Sequence, residues 1–280
     1  MTGRVAGKVA FITGVARGQG RSHAVRLAEE GADVIGTDIC GPVGATSDYY
    51  PPATREDLAE TVRQVEALGR RIIVREADVR DYEATKRALD EGVAELGRLN
   101  VVVANAGIFQ FGDQVHLTSA EAWRDTIDVN LTGVFNTCKA ALPHLHEADR
   151  GGSIVLISSD AGFKGMPNIG HYVASKHGVI GLMRTLALEN AEHAIRVNAV
   201  CPTNCDTDMI QNEPMYKLFL PAHDKPTRDE FAEVAATMTA LPVPWVDARD
   251  ISNAVLFLAS EEARYVTGVA LPVDAGVAVK

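Results

Sequence analysis

The chain reads as a single α/β domain: a doubly wound parallel sheet with helices on both faces. Three observations predict this. Short apolar, β-branched runs alternate with amphipathic stretches of helical period along nearly the whole length. A glycine-rich turn, Thr13-Gly-Val-Ala-Arg-Gly-Gln-Gly20, follows the first run and opens the first helix. Polar residues gather where later runs end, which is the edge at which open parallel sheets bind ligands. At 280 residues the chain fits one large unit of this kind.

Seven runs are expected as strands: 9–13, 33–37, 72–75, 101–104, 153–158, 196–200 and 269–273. Between them, helices are expected over 20–30, 55–68, 82–96, 120–146, 172–191 and 250–259. The stretch 120–146 is long enough to be two helices, joined near Asn130-Leu-Thr-Gly133. Two segments break the rhythm. Residues 39–54 hold Gly41, Pro42, Gly44, Pro51 and Pro52 beside a Tyr49-Tyr50 pair, directly after the second strand. A loop this long serves a function or is disordered, and its aromatics favour a packed lid, with a subunit contact as the other use. Residues 208–245 mix Met209, Met215, Phe219, Leu220, Phe231 and Met238 with proline turns, as a substrate-covering flap would; ordinary packing of helices and loops weighs equally.

Composition is that of a globular protein, 46% apolar and 23% charged. A net charge of −10 argues against nucleic acid or an anionic membrane as the main partner, since both are bound by clustered Lys and Arg. No apolar run approaches the roughly 18 residues of a membrane span. The N-terminal residues lack the apolar centre of a signal peptide, so a cytoplasmic location is expected. Cys40, Cys138, Cys201 and Cys205 make no Cys-x-x-Cys pair and are expected as reduced thiols. His144 and His146 stand two apart on a helix and would face different ways, so no metal site is expected.

Gly14, Gly18 and Gly20 would let backbone come close to a pyrophosphate at a helix N-terminus, with Arg17 and Gln19 in the same turn. Asp38 ends the second strand, where a carboxylate can take the adenosine ribose hydroxyls. Arg17 pulls the other way, because a cation there could pair with a 2′-phosphate. Asp38 is followed by the uncharged Ile39 and Cys40, and a carboxylate repels a phosphate, so NAD is expected over NADP. Asp78-Val79 and Asn105-Ala106-Gly107 end the third and fourth strands at the same edge. Ser158 and Ser159 end the fifth.

Tyr172 and Lys176 stand four apart, about one turn along a helix. An ammonium beside a phenol stabilises phenolate, so Tyr172 is expected to titrate below its free pKa of about 10 and to act as acid/base on an alcohol oxygen. Alone, such a pair is more often surface packing. Its weight comes from the dinucleotide signature upstream.

Thr13-Gly-x-x-x-Gly-x-Gly20, Asn105-Ala-Gly107, Asn130, Ser159, Tyr172-x-x-x-Lys176 and Asn198-Ala-Val-Cys-Pro202 occur in this order. Together they resemble the short-chain dehydrogenase/reductase family across nearly the whole chain. The resemblance implies a seven-stranded Rossmann sheet, and Tyr172 as acid/base with Ser159 binding the substrate oxygen. It implies that Lys176 holds the nicotinamide ribose and lowers the Tyr172 pKa, and that Asn130 holds a water in a proton relay. Pro202, Cys205 and Thr207 would lie at the nicotinamide carboxamide, and a homotetramer is usual. Within the family the chain resembles carveol dehydrogenase-like, mycofactocin-dependent oxidoreductases, through Arg17-Gly-Gln-Gly-Arg-Ser-His23, the Asp38-Ile-Cys40 strand end with its insertion, and Pro202-Thr203-Asn204. That implies oxidation of a small, mostly apolar secondary alcohol and a mycofactocin-type redox partner. Thr203 departs from the glycine that most members place after the proline. A ketone or 3-oxoacyl reductase and a catalytically silent nucleotide-binding protein remain as other readings. The complete set of Asn130, Ser159, Tyr172 and Lys176 argues against the silent one.

Overall fold

A computed structural model describes residues 3–148 and 151–280. Met1 and Thr2, which head the stretch read above for a signal peptide, lie outside the described residues. The strands are β1 Val9–Thr13, β2 Asp33–Asp38, β3 Ile72–Glu76, β4 Val101–Ala104, β5 Gly152–Ile157, β6 Ile195–Pro202 and β7 Ala270–Val273. They form one sheet in the order β3-β2-β1-β4-β5-β6-β7, and every pairing is parallel. The expected seven-stranded, doubly wound single sheet is what the chain builds.

Alternation along β1 explains why both faces are covered. Ala10 and Ile12 pack with α1 (Gly18–Glu29), α2 (Arg55–Ala67) and α9 (Ala248–Ala259) through Leu27, Leu58, Val65 and Ile251. Val9 and Phe11 face the other way, against α3 (Tyr82–Leu96), α5 (Gly133–Glu147) and α6 (Gly170–Glu189) through Leu89, Val134, Cys138 and Met183. A strand buried on both sides has to be apolar at every position, as Val9–Thr13 is apart from its last residue.

Strand order reverses between β1 and β4, whose carboxyl ends therefore splay apart and open a crevice. Side chains tie the two ends. Asn105 Nδ2 donates to the Thr13 carbonyl at 2.9 Å, and Thr13 Oγ1 accepts from the Asn105 and Ala106 amides at 3.1 and 3.2 Å.

Three expected elements differ in detail. The stretch 120–146 is one continuous path: α4 (Ala120–Ile127) runs through a π-helical turn at Asp128–Thr132 into α5, so the expected join is a widened turn that contains Asn130. Residues 208–245 hold α7 (Glu213–Phe219) and α8 (Arg228–Ala236). Asn212 caps α7 through the Met215 amide, and Thr227 and Glu230 form a capping box on α8. Residues 39–54 contain a short 3₁₀ turn at Gly44–Asp48. All four cysteines are free thiols; His144 bonds Asp90 and His146 bonds Asn190.

Candidate active site

A cleft open to solvent lies at the β1/β4 crevice. It runs from Asp38 past the glycine-rich turn to Tyr172 and Lys176. Glycine is required in that turn for two separate reasons. Gly14 has φ +70°, and a Cβ there would lie 2.9 Å from the Ala106 backbone. A Cβ on Gly20 would lie 1.9 Å from the Gly14 carbonyl oxygen, so α1 could not approach the turn. Gly18, Gln19, Asn105, Ala106 and Gly107 line the same stretch, and Gln19 Oε1 is buried there with no hydrogen-bond partner. A cradle free of side chains with an orphaned polar atom beside a helix N-terminus suits a dinucleotide pyrophosphate.

Asp38 is buried at the end of β2, where Oδ2 accepts from the Ala16 amide at 3.0 Å and Oδ1 from the Cys40 amide at 3.1 Å. Those bonds aim the carboxylate into the cleft with lone pairs left for donors. Arg17, the competing group, is already engaged. It pairs with Asp208 at 3.0 Å, donates to the Pro51 carbonyl and lies 5.9 Å from the centre of the Tyr50 ring. Ile39, Asp78 and Val79 line the cleft too, with Asp78 bound to Arg80 at 2.6 Å.

The insertion packs as a lid would. Tyr50 is buried, and its hydroxyl accepts the Phe109 amide at 3.2 Å. Gln110 donates to Thr46 Oγ1 at 3.1 Å, and the Tyr49 ring meets Phe111 edge-on at 4.9 Å. The segment thus reaches from the Asp38 end of the cleft to the loop after β4. Phe109 in turn meets the Tyr172 ring at 5.0 Å. Neither the Phe109-Gln-Phe111 run nor Asp208 was singled out from sequence, although an aromatic pair after Asn105-Ala-Gly107 was a readable signal.

Tyr172 and Lys176 are brought together on α6 at the inner end of the cleft. Lys176 Nζ lies 5.5 Å from the Tyr172 ring centre and donates to the Ile157 carbonyl at 3.1 Å. The expected fall in the Tyr172 pKa is corrected here. Burial pushes it up instead, the Ser159 hydrogen bond opposes that rise, and the Asp160 carboxylate adds to it. A spacing of four sets proximity along a helix but says nothing of how dry the site is. Burial also lowers Lys176, to about 8.

The two serines divide their work. Ser158 Oγ donates to the Lys176 carbonyl at 3.0 Å, fastening β5 to α6, while Ser159 Oγ donates to Asp160 Oδ1 at 2.8 Å. Asn130 is fully buried; its Nδ2 donates to the Ile108 carbonyl at 2.9 Å and its Oδ1 accepts the Ile108 amide at 2.8 Å. Its side chain therefore pins the loop after β4. At the end of β6, Thr207 lines the cleft, but Cys205 is turned into the core, where it packs with Val15 and Ile251. Only its backbone could meet a carboxamide. Pro202 closes β6 and is not part of the lining.

The short chain dehydrogenase family model matches residues 8–216. The chain belongs to that family. Its members are oxidoreductases, and relatives match end to end. The (−)-trans-carveol dehydrogenase of Rhodococcus erythropolis is 54% identical over 277 residues, covering 99% of both chains. A putative short-chain type dehydrogenase/reductase of Mycolicibacterium smegmatis is 58% identical over 280 residues, covering all of both. The crystal structure of carveol dehydrogenase from Mycobacterium avium in complex with NAD superposes with a TM-score of 0.98 at 59% identity, again covering all of both chains.

Proposed function

We propose that this short-chain dehydrogenase oxidises a small, mostly apolar secondary alcohol, carveol-like in size, to a ketone with NAD. The observation that carries the reading is the joining of two sites by one cleft, with the Asp38 carboxylate at one end and half-buried Tyr172 with buried Lys176 at the other, where Ser159 follows the cleft-lining Ser158. Bound NAD supplies the hydride acceptor and, in its oxidised form, a positive charge in the same cleft that opposes the upward shift of Tyr172. The glycine turn receives the pyrophosphate and Asp38 the adenosine ribose hydroxyls, while Lys176 holds the nicotinamide ribose. Tyr172 takes the alcohol proton and Ser159 holds the alcohol oxygen. Asn130 keeps the loop after β4 in place beside them.

Apolar surroundings support an apolar substrate. Phe109 and Phe111 join Met215, Phe231, Phe219 and Trp245 in one cluster over the catalytic end, so residues 208–245 cover the substrate. No basic cluster lines that side for a phosphate-bearing one. The insertion at 39–54 closes over the adenosine half and slows cofactor release, since Tyr50 and Arg17 must let go before it can open. A cofactor that stays bound needs recycling in place, which suits a mycofactocin-type redox partner. Exposed Trp123 on α4, Phe135 on α5 and Leu188 on α6 support a homotetramer built on those helices, and a cytoplasmic location fits this chemistry.

The test is to denature the purified protein, assay the supernatant for NAD, and measure carveol oxidation with added NAD and with a dye acceptor. Near-stoichiometric NAD together with dye-linked turnover supports the reading. A protein purified empty that turns over freely with added NAD removes the lid, and one that oxidises no secondary alcohol removes the function.

A further inference from the structure

The 39–54 insertion holds the loop after β4 one residue at a time. Asn130 fixes Ile108 from the side of the widened turn. Beyond Ile108 the ties come from the insertion. The Phe109 amide donates to the Tyr50 hydroxyl at 3.2 Å, and Gln110 Nε2 donates to Thr46 Oγ1 at 3.1 Å. Phe111 takes the edge contact of Tyr49, with ring centres 4.9 Å apart. Tyr50, Thr46 and Gln110 are all buried, where a hydrogen bond left unmade is costly.

Phe109 is where this clamp meets the proposed chemistry. Its ring stands edge-on to the Tyr172 ring, with centres 5.0 Å apart and planes at 78°. The Phe111 ring braces it from behind, again edge-on, at 5.3 Å. Tyr172 itself is half-buried and borders the open cleft, so its direction depends on what packs against its ring. Lys176 gives little help there, since its Nζ is tied to the Ile157 carbonyl. The Tyr50 hydroxyl thus fixes the Phe109 backbone, and the Phe109 ring fixes the phenol.

We infer that Tyr50 is a positioning residue for the catalytic end of the cleft: through the Phe109 amide it sets the ring against which Tyr172 is aligned. The insertion then shapes the alcohol site as well as covering the cofactor. The inference rests on the alcohol reading proposed above.

A double-mutant cycle tests it, using carveol, the dye acceptor and NAD in excess, so that cofactor lost through a loosened lid is replaced. Wild type, Tyr50→Phe, Phe109→Ala and the double variant are compared, with kcat and KM read separately. Tyr50→Phe removes one oxygen and keeps the ring beside Arg17. Its kcat should fall by about tenfold, less than the roughly 10² that a 1 Å misplacement costs. The double variant should be no slower than Phe109→Ala, because Tyr50 then has no ring to place. Thr46→Val removes the neighbouring tie to Gln110 and should lower kcat the same way; it replaces Tyr50→Phe in the cycle if that variant fails to fold. An unchanged kcat, a change in KM alone, or losses that multiply in the double variant, as general damage would give, each overturn the inference. A wild type that oxidises no carveol removes the alcohol reading and the role of Tyr50 with it, whereas an active wild type with any of those three results counts against Tyr50 alone.

Discussion

In the proposed function Lys176 meets two opposing demands: it carries charge to hold a ribose, yet it sits in a site dry enough to take that charge away. Burial lowers it from the ordinary 10.5 to about 8. Between those two values the unfolded chain holds a proton that the folded chain lacks, so stability rises with pH across the window. The buried thiols of Cys138 and Cys201, pushed up to about 12, act with the opposite sign above pH 9. The clean comparison is therefore wild type against Lys176→Met, without cofactor, by denaturant titration from pH 8 upward. The stability of the methionine variant relative to wild type should fall as pH rises. A difference independent of pH would show that Lys176 is charged in the folded chain throughout. At this scale the closeness of Tyr172 and Lys176 on one helix was readable from their spacing. Their proton affinities were not, because desolvation depends on residues such as Phe109 and Tyr50 that reach the site from distant parts of the chain.

At the scale of elements the sheet was the most legible part, since a strand buried on both faces leaves an uninterrupted apolar run. Its ends were placed to within a residue or two: β5 stops at Ile157, which frees both serines beyond it. Less was readable in 208–245. Its helices α7 and α8 are short, and the Thr227-Arg-Asp-Glu230 capping signature was there to be used. The widened turn at Asn130 had no such signal, because a π turn leaves the hydrophobic period almost unchanged. Cofactor choice belongs to this scale, since the proposed selecting group, Asp38, stands where β2 hands over to the insertion. Asp38→Ala should weaken NAD binding and admit NADP, read as the ratio of their kcat/KM values. Arg17→Ala should leave that ratio alone and hasten cofactor loss, because Arg17 fastens Pro51 and Asp208 over the cleft. If Arg17→Ala altered the preference instead, Arg17 would be the selecting group.

For the whole molecule, the sheet's reversal point decides where everything else goes. Seven parallel strands with the order changing between β1 and β4 leave a crevice, and the glycine-rich turn, the 39–54 insertion and Tyr172 with Lys176 all converge on it. Among the described residues no helix is long and apolar enough to cross a membrane, and no cluster of metal-ligating side chains stands apart from this site. In the proposed function the alcohol proton passes to one phenol, that of Tyr172. Tyr172→Phe deletes that hydroxyl oxygen and keeps the ring that packs on Phe109. Carveol turnover and bound NAD should be measured together on this variant, with the dye acceptor. The expected result is NAD content equal to wild type and turnover down by roughly 10²–10⁴. Turnover near wild type in a Tyr172→Phe protein that still holds its cofactor would contradict the assignment.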